Sequence, residues 1–169
     1  MRLVSKDFLI LVIFILATTL FVLPSSAQEK GLLSIGTGWY DFNDNRDAVD
    51  FRIEYRPNTK YVKIIKPWIG MQLTTDNAAY ALTGILSDVY ISKRLILTPS
   101  FGVGLYSDGN GKNLGSTIEF RSQLELGYEF NNKSRVSLAV SHISNAHLTD
   151  QNPGTEIFNI YYHMPLKHF

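Results

Sequence analysis

The chain of 169 residues carries a formal net charge of +1 and contains no cysteine. A charge this close to zero gives no electrostatic reason to expect a nucleic acid or another strongly charged partner. The absence of cysteine excludes a disulfide framework and thiol chemistry. Aromatic residues make up 12% of the chain and include nine tyrosines, an enrichment typical of proteins with side chains at a membrane interface.

The N-terminal segment has the three parts of a secretory signal peptide. Arg2 and Lys6 supply positive charge, and residues 8–23 form an apolar run that is followed by small side chains. We therefore expect residues 1–27 to be a cleaved signal peptide and residues 28–169 to form one domain. The alternative is a retained transmembrane helix, but the run is short for the ~20 residues that span a bilayer and ends in a cleavage-like site.

Beyond this segment the dominant pattern is alternation of apolar and polar residues, which is the period of a β-strand. Turn-forming asparagine, aspartate, glycine and proline residues separate eight such stretches. In the fourth stretch the two faces show no clear contrast. The eight stretches cover residues 32–42, 48–56, 64–73, 79–91, 95–106, 116–130, 134–143 and 156–166.

The two faces of the second stretch differ sharply in chemistry. Its apolar face runs from Val49 to Tyr55, and its opposite face, from Asp50 to Arg56, carries charges of both signs. A soluble sandwich would bury the apolar face, whereas a membrane barrel turns it toward lipid and encloses the polar face. Strands of ~9–11 residues or more, in even number, favour the barrel. We predict an all-β fold, an eight-stranded antiparallel transmembrane β-barrel of the Gram-negative outer membrane, with the charged residues paired inside it.

The C-terminal Phe169 resembles the terminal aromatic residue by which outer-membrane barrels are recognised, so the barrel assembly machinery is an expected partner. Its parity is opposite to that of the apolar face of the last strand, and a bulge at Pro165 would reconcile the two. Both termini of an even-stranded barrel lie on the periplasmic side. The connections after the fifth and seventh strands are longer and are therefore expected to be extracellular.

Three complementary polar residues are predicted to meet at the extracellular end of the last hairpin. The apolar face of the seventh strand continues past Val140 to His142 and Ser144. The apolar face of the eighth strand continues back from Phe158 to Glu156. If Val140 faces Phe158, then His142 faces Glu156, with Cβ atoms ~4.5–5.5 Å apart on the outside of the barrel.

Serine, histidine and a carboxylate in this arrangement suit ester hydrolysis. Histidine removes the proton of a serine nucleophile near neutral pH, and the carboxylate orients the ring. The Asn145 side chain and the backbone N–H groups after Ser144 are candidate donors to the developing oxyanion. A site facing the outer leaflet would meet lipopolysaccharide. The alternative is that these are ordinary polar residues at strand ends, where a polar group costs only ~0–1 kcal/mol.

The run His-Ile-Ser-Asn-Ala at residues 142–146, followed by Asn-Pro-Gly-Thr-Glu at residues 152–156, resembles the active-site segment of the lipid A 3-O-deacylases. The stretch Phe-Gly-Val-Gly at residues 101–104 also resembles the fifth strand of that family. The resemblance implies an eight-stranded outer-membrane esterase that removes the acyl chain at position 3 of lipid A in lipopolysaccharide. The enzyme implied by this resemblance releases a 3-hydroxy fatty acid and uses no metal or cofactor.

The resemblance also implies a role for each site residue. Ser144 would be the nucleophile, His142 the general base and Glu156 the acid that orients it. The residues implied for the oxyanion site and for substrate positioning are Asn145, Ala146 and Asn152. The sequence departs from the family pattern at His147, where a small residue such as glycine is expected, and this departure concerns the shape of the oxyanion site.

Two other functions fit the same scaffold. One is a non-catalytic small barrel that acts as an adhesin or as a membrane-stability protein, which long aromatic loops would favour. The other is a lipid acyltransferase or phospholipase. The sequence leaves open which acyl chain is preferred and whether two chains form a homodimer.

Overall fold

A computed structural model describes residues 31–44, 47–59 and 64–166. The expected signal peptide and the C-terminal Phe169 lie outside the described residues. Within these three ranges, no helix is long and apolar enough to cross a bilayer. The described residues form one antiparallel sheet in which every strand pairs with its neighbours in the chain.

Eight strands make up the sheet, and each predicted stretch corresponds to one of them. The strands are β1 Leu32–Tyr40, β2 Ala48–Arg56, β3 Ile65–Thr74, β4 Ala79–Ser87 with a short continuation Val89–Tyr90, β5 Leu95–Ser107, β6 Ile118–Glu129, β7 Arg135–Ser144 and β8 Thr155–Pro165. Because β8 pairs with β1, and β4 pairs with β5, the sheet closes into an eight-stranded antiparallel barrel, as predicted.

As predicted, apolar residues lie on the outside of the barrel wall and charged residues lie on the inside. In β2 the side chains of Phe51 and Ile53 point outward and are 52% and 49% exposed, whereas Asp50, Arg52 and Glu54 are buried in the interior. Alternation along the strand assigns successive residues to opposite faces. An apolar exterior around a charged interior is the arrangement of a transmembrane barrel and not of a soluble sandwich.

Ion pairs fill the interior at the level of β2 and β6. Glu54 accepts hydrogen bonds from Arg56 at 2.8 Å and from Arg121 at 2.6 Å. Arg56 also binds Glu125 at 2.8 Å, and Glu125 lies 3.0 Å from His163. Each of these charges has an opposite charge within contact distance, which offsets the cost of removing it from water. The charged faces therefore build a continuous network across the barrel. The buried Glu119 of β6 is an exception to the predicted pairing, because neither of its carboxylate oxygens has a hydrogen-bond partner among the described residues.

On one side of the interior, aromatic and aliphatic side chains replace the charges. Tyr80 and Leu82 of β4 point inward beside Trp68 of β3, and all three are buried. The Arg121 guanidinium lies over the Trp68 ring, 4.4 Å from its centroid. This apolar sector explains why the faces of β4 show little contrast in the sequence. A side chain at Gly102 would collide with the Trp68 ring at 2.7 Å.

The two longest connections of the barrel lie at the same end. Residues 91–94 and 130–134 make tight turns at one end, whereas residues 108–117 and 145–154 form longer loops at the other end. We call the second end the loop end. The pairing of β8 with β1 continues residue for residue through Pro165, so the expected bulge at Pro165 is wrong as far as the described pairing extends.

Candidate active site

The hairpin of β7 and β8 has the predicted register. Val140 pairs with Phe158, and His142 pairs with Glu156. The Nδ1 atom of His142 lies 3.0 Å from Oε1 of Glu156. The two side chains are 47% and 37% exposed, so the pair lies on the outer surface of the barrel at the loop end. Because a carboxylate only accepts, the ring donates from Nδ1 and its Nε2 atom is left as an acceptor.

Ser144 is the last residue of β7 and follows His142 on the same outward face. Ser144 and His142 both line a pocket of 240 Å³ that also includes the rings of Phe101 and Phe120. Within the described residues, the Ser144 hydroxyl makes no hydrogen bond. A nucleophile and its base are often farther apart without substrate than in the reacting complex. The structure thus brings Ser144 and His142 to one outward pocket, and Glu156 contacts His142.

A tight turn follows directly after Ser144. The carbonyl of Asn145 accepts a hydrogen bond from the N–H of Leu148 at 3.0 Å. The two central residues, Ala146 and His147, have φ of +52° and +60°. Positive φ at both central positions defines a type I′ turn, which favours glycine or asparagine. A non-glycine residue held in this region stores strain of about 1–3 kcal/mol, and such residues cluster at functional sites.

Asn145 holds the loop that contains this turn. Its side chain is fully buried, and its amide nitrogen donates to the carbonyl oxygens of Leu114 at 2.9 Å and Gln151 at 2.7 Å. The backbone N–H of Asn145 donates to Oδ1 of Asn152 at 3.0 Å. Both kinds of donor on Asn145 are therefore committed to the loop. The predicted role of its amide at an oxyanion stays a prediction.

Ala146 and Asn152 are placed differently with respect to the pocket. Ala146 lines it beside Ser144. The N–H of Ala146 has no acceptor among the described residues, so it is a candidate donor to an oxyanion. Asn152 supports the turn from the other side, because its amide also approaches Nδ1 of His147 at 3.3 Å. The residue that departs from the family pattern, His147, is thus in contact with the supporting asparagine.

A contact that the sequence did not reveal anchors the start of β8, next to Glu156. Thr155 donates to Oδ1 of the buried Asp41 at 2.9 Å, and Lys112 contacts the same oxygen at 2.7 Å. Burial opposes the charged form of Lys112, but its hydrogen bonds to Asp41 and Asp44 outweigh burial and raise the pKa of the ammonium group. These residues come from two separate connections and the first position of β8, so no local spacing in the sequence could have indicated their contact.

Comparison with known proteins extends the resemblance of the site to most of the chain. A sequence model of the family described as lipid A 3-O-deacylase (PagL) matches residues 50–165 of the 169 residues. The chain belongs to this family. The match runs from within β2 to the end of β8 and therefore includes all the candidate site residues.

Individual relatives match over shorter segments. Lipid A deacylase PagL of Pseudomonas aeruginosa is 34% identical over 55 residues, which is 32% of this chain and 32% of that protein. Lipid A deacylase PagL of Bordetella bronchiseptica is 28% identical over 75 residues, covering 43% of this chain and 42% of that protein. The matched segments thus span less than half of these curated relatives.

Solved structures of several small barrels share the fold. The outer membrane enzyme PagL superimposes with a TM-score of 0.62 at 17% identity, over 80% of this chain and 99% of that chain. Neisserial surface protein A gives a TM-score of 0.58 at 6% identity, over 80% of this chain and 96% of that chain. At these identities the likeness establishes the eight-stranded barrel alone.

Proposed function

We propose that this lipid A 3-O-deacylase family member is an outer-membrane esterase that hydrolyses the acyl ester at position 3 of lipid A. The observation that carries the proposal is the contact of 3.0 Å between Glu156 and His142, which lines the same outward pocket as Ser144. Family membership supports the reaction and the substrate. The position of the pocket at the loop end supports the outer leaflet, and hence lipopolysaccharide, as the source of that substrate.

The three residues have distinct roles in the proposed reaction. The Ser144 hydroxyl attacks the ester carbonyl carbon, and its proton passes to Nε2 of His142. Glu156 accepts the hydrogen bond from Nδ1, which fixes the tautomer and stabilises the imidazolium. His142 then returns the proton to the departing sugar oxygen. Water hydrolyses the acyl-enzyme in a second step, with His142 again as the base, and the free fatty acid leaves.

The oxyanion that forms in each step needs hydrogen-bond donors. The free N–H of Ala146 is one donor that the turn offers, and removal of one such donor typically costs ~10²–10³ in rate. Asn145 and Asn152 hold the turn through their mutual hydrogen bond of 3.0 Å. In this proposal they position the donor, and they contribute to substrate binding through the shape of the loop.

The surface beside the triad suits a lipid substrate. Phe101 and Phe120 stack with ring centroids 6.0 Å apart on the outer wall. An acyl chain at this place remains among apolar side chains and surrounding lipid, while its ester lies at the level of the strand ends. Hydrolysis at this depth does not require the lipid to leave the membrane.

Delivery and assembly form a separate part of the proposal. We infer that residues 1–27 are removed during export and that Phe169 is recognised by the barrel assembly machinery. The mass of the protein extracted from outer membranes tests the first point, because cleavage after Ala27 gives a chain that begins at Gln28. Deletion of Phe169 should reduce the amount of folded barrel. Cross-linking in the membrane tests whether the barrels form a homodimer.

Purified protein in detergent, mixed with lipid A, tests the reaction itself. We expect release of a 3-hydroxy fatty acid by the wild type and none by Ser144→Ala. Addition of a second lipid as acyl acceptor distinguishes hydrolysis from transfer, because a transferase would acylate that lipid. Folding of each variant is checked by the difference in gel mobility between boiled and unboiled samples. Release of the fatty acid by a folded Ser144→Ala barrel would refute the assigned nucleophile.

A further inference from the structure

One polar side chain interrupts the lipid-facing row of β6. The outward residues of this strand include Phe120, Leu124, Leu126 and Tyr128, but the row contains Ser122 between the first two. Ser122 is exposed, and its hydroxyl makes no hydrogen bond within the described part of the chain. A hydroxyl without a partner is unfavourable in an apolar environment. A polar partner from outside the chain would therefore be favourable at this position.

Ser122 lies immediately beside the candidate triad. It pairs with His142 across β6 and β7, while Glu156 pairs with His142 on the other side. The histidine is thus flanked by one polar residue on each neighbouring strand. Directly paired side chains have Cβ atoms ~4.5–5.5 Å apart. Ser122 also lines the pocket that contains Ser144.

The course of the strands places Ser122 along the path of an acyl chain. Ser144 pairs with Phe120 at the level of the loops, and one step farther from the loops Ser122 pairs with His142. The next step is the apolar pair of Leu124 and Val140. A chain whose ester lies at Ser144 and whose tail extends into the membrane must pass Ser122 within its first few carbons. In such a chain, only a polar substituent near the ester can form a hydrogen bond with the Ser122 hydroxyl.

We propose that Ser122 is a specificity-determining residue that binds the hydroxyl group on C3 of a 3-hydroxyacyl ester. This inference rests on the proposed function and adds to it the basis for choosing a 3-hydroxyacyl chain over an unsubstituted chain. Ser122 takes no part in bond making. Its hydroxyl donates to, or accepts from, the substrate hydroxyl.

The test compares two esters of the same alcohol and the same chain length, one 3-hydroxytetradecanoyl and one tetradecanoyl. The purified barrel in detergent is assayed for kcat/KM on each. We expect the wild type to prefer the 3-hydroxyacyl ester. Ser122→Ala should reduce that preference by about three- to tenfold, the usual value of one neutral hydrogen bond. The reduction should come entirely from slower turnover of the 3-hydroxyacyl ester.

Ser122→Thr is the matched control, because it keeps the hydroxyl at the same position and should keep the preference. An unchanged ratio in Ser122→Ala would overturn the proposal. An equal loss on both esters would also overturn it, since that result would mean that Ser122 acts on His142 and not on the substrate. Failure of the wild type to hydrolyse either ester or lipid A, in a folded barrel, would instead refute the esterase function and this proposal together.

Discussion

His163 and His142 each lie 3.0 Å from a glutamate, but they face opposite sides of the barrel wall. His163 is fully buried, and its two ring nitrogens also contact Ser34 and Ser137 at 2.7 and 2.8 Å. His142 is 47% exposed, and within the described residues its one hydrogen-bond partner is Glu156. A histidine whose nitrogens are both occupied holds the fold together. A histidine with a free Nε2 beside a serine can act as a base.

The largest expected effect follows from removal of the nucleophile or of the base. Ser144→Ala and His142→Ala should each lower the rate of lipid A hydrolysis by about 10⁴-fold or more, because the residues of a triad act as a unit. Neither side chain contributes to the interior network, so the midpoint of urea unfolding should not change. If either variant lost the folded barrel together with its activity, the side chain would contribute to the fold. That result would contradict the distinction between the outward site and the interior network.

Removal of the orienting acid should have the next largest effect. Glu156→Ala leaves serine and base in place, so we expect a rate loss roughly 10²-fold milder than that of His142→Ala. Glu156→Gln keeps the size of the side chain and serves as the matched variant. Rates measured with the same lipid A substrate decide the order. A Glu156 variant as inactive as His142→Ala would mean that the carboxylate does more than orient the ring.

The opposite pattern is expected for the buried histidine. His163→Ala leaves Ser34 and Ser137 without a partner inside the barrel, which costs about 1–3 kcal/mol of unfolding free energy. Arg56 still pairs with Glu125 at 2.8 Å and limits the loss. Urea unfolding in detergent measures the change, and the folded fraction should keep its specific activity. A His163→Ala protein that was inactive but as stable as the wild type would contradict the purely structural role assigned to His163.

The smallest effect is expected in the loop. Asn152→Ala removes the acceptor of the Asn145 N–H and should lower kcat by about tenfold, in proportion to one hydrogen bond. The barrel strands do not depend on this contact, so the unfolding midpoint should remain that of the wild type. Asn152→Asp keeps an acceptor oxygen and should recover most of the rate. An unaffected kcat in Asn152→Ala would show that the turn is positioned without it.

The pattern of alternation predicted most of the barrel, because the side-chain period of a strand encodes which face each residue occupies. The same rule predicted the pairing of His142 with Glu156, since both follow from the parity of two adjacent strands. The pattern was uninformative in β4, where Tyr80 and Leu82 replace charges in the interior beside Trp68. There the interior is apolar, so the two faces look alike in the sequence.

The loops could not be predicted in this way. The contacts of Asp41 with Lys112 and Thr155 join residues far apart in the chain, and the commitment of the Asn145 amide to Leu114 and Gln151 depends on how two loops pack. Periodicity carries no information about such contacts. The predicted set of site residues was therefore clearest for those on strands and least specific for the loop.

Mass spectrometry of lipid A tests the central claim most directly. Gram-negative cells that express the wild type are compared with cells that express Ser144→Ala, after both barrels are shown to be folded by their gel mobility. The account predicts loss of one 3-hydroxyacyl chain from lipid A in the wild-type cells and intact lipid A in the variant cells. Deacylated lipid A in both would contradict the assigned nucleophile, and intact lipid A in both, with purified wild type also inactive on lipid A in detergent, would contradict the esterase function.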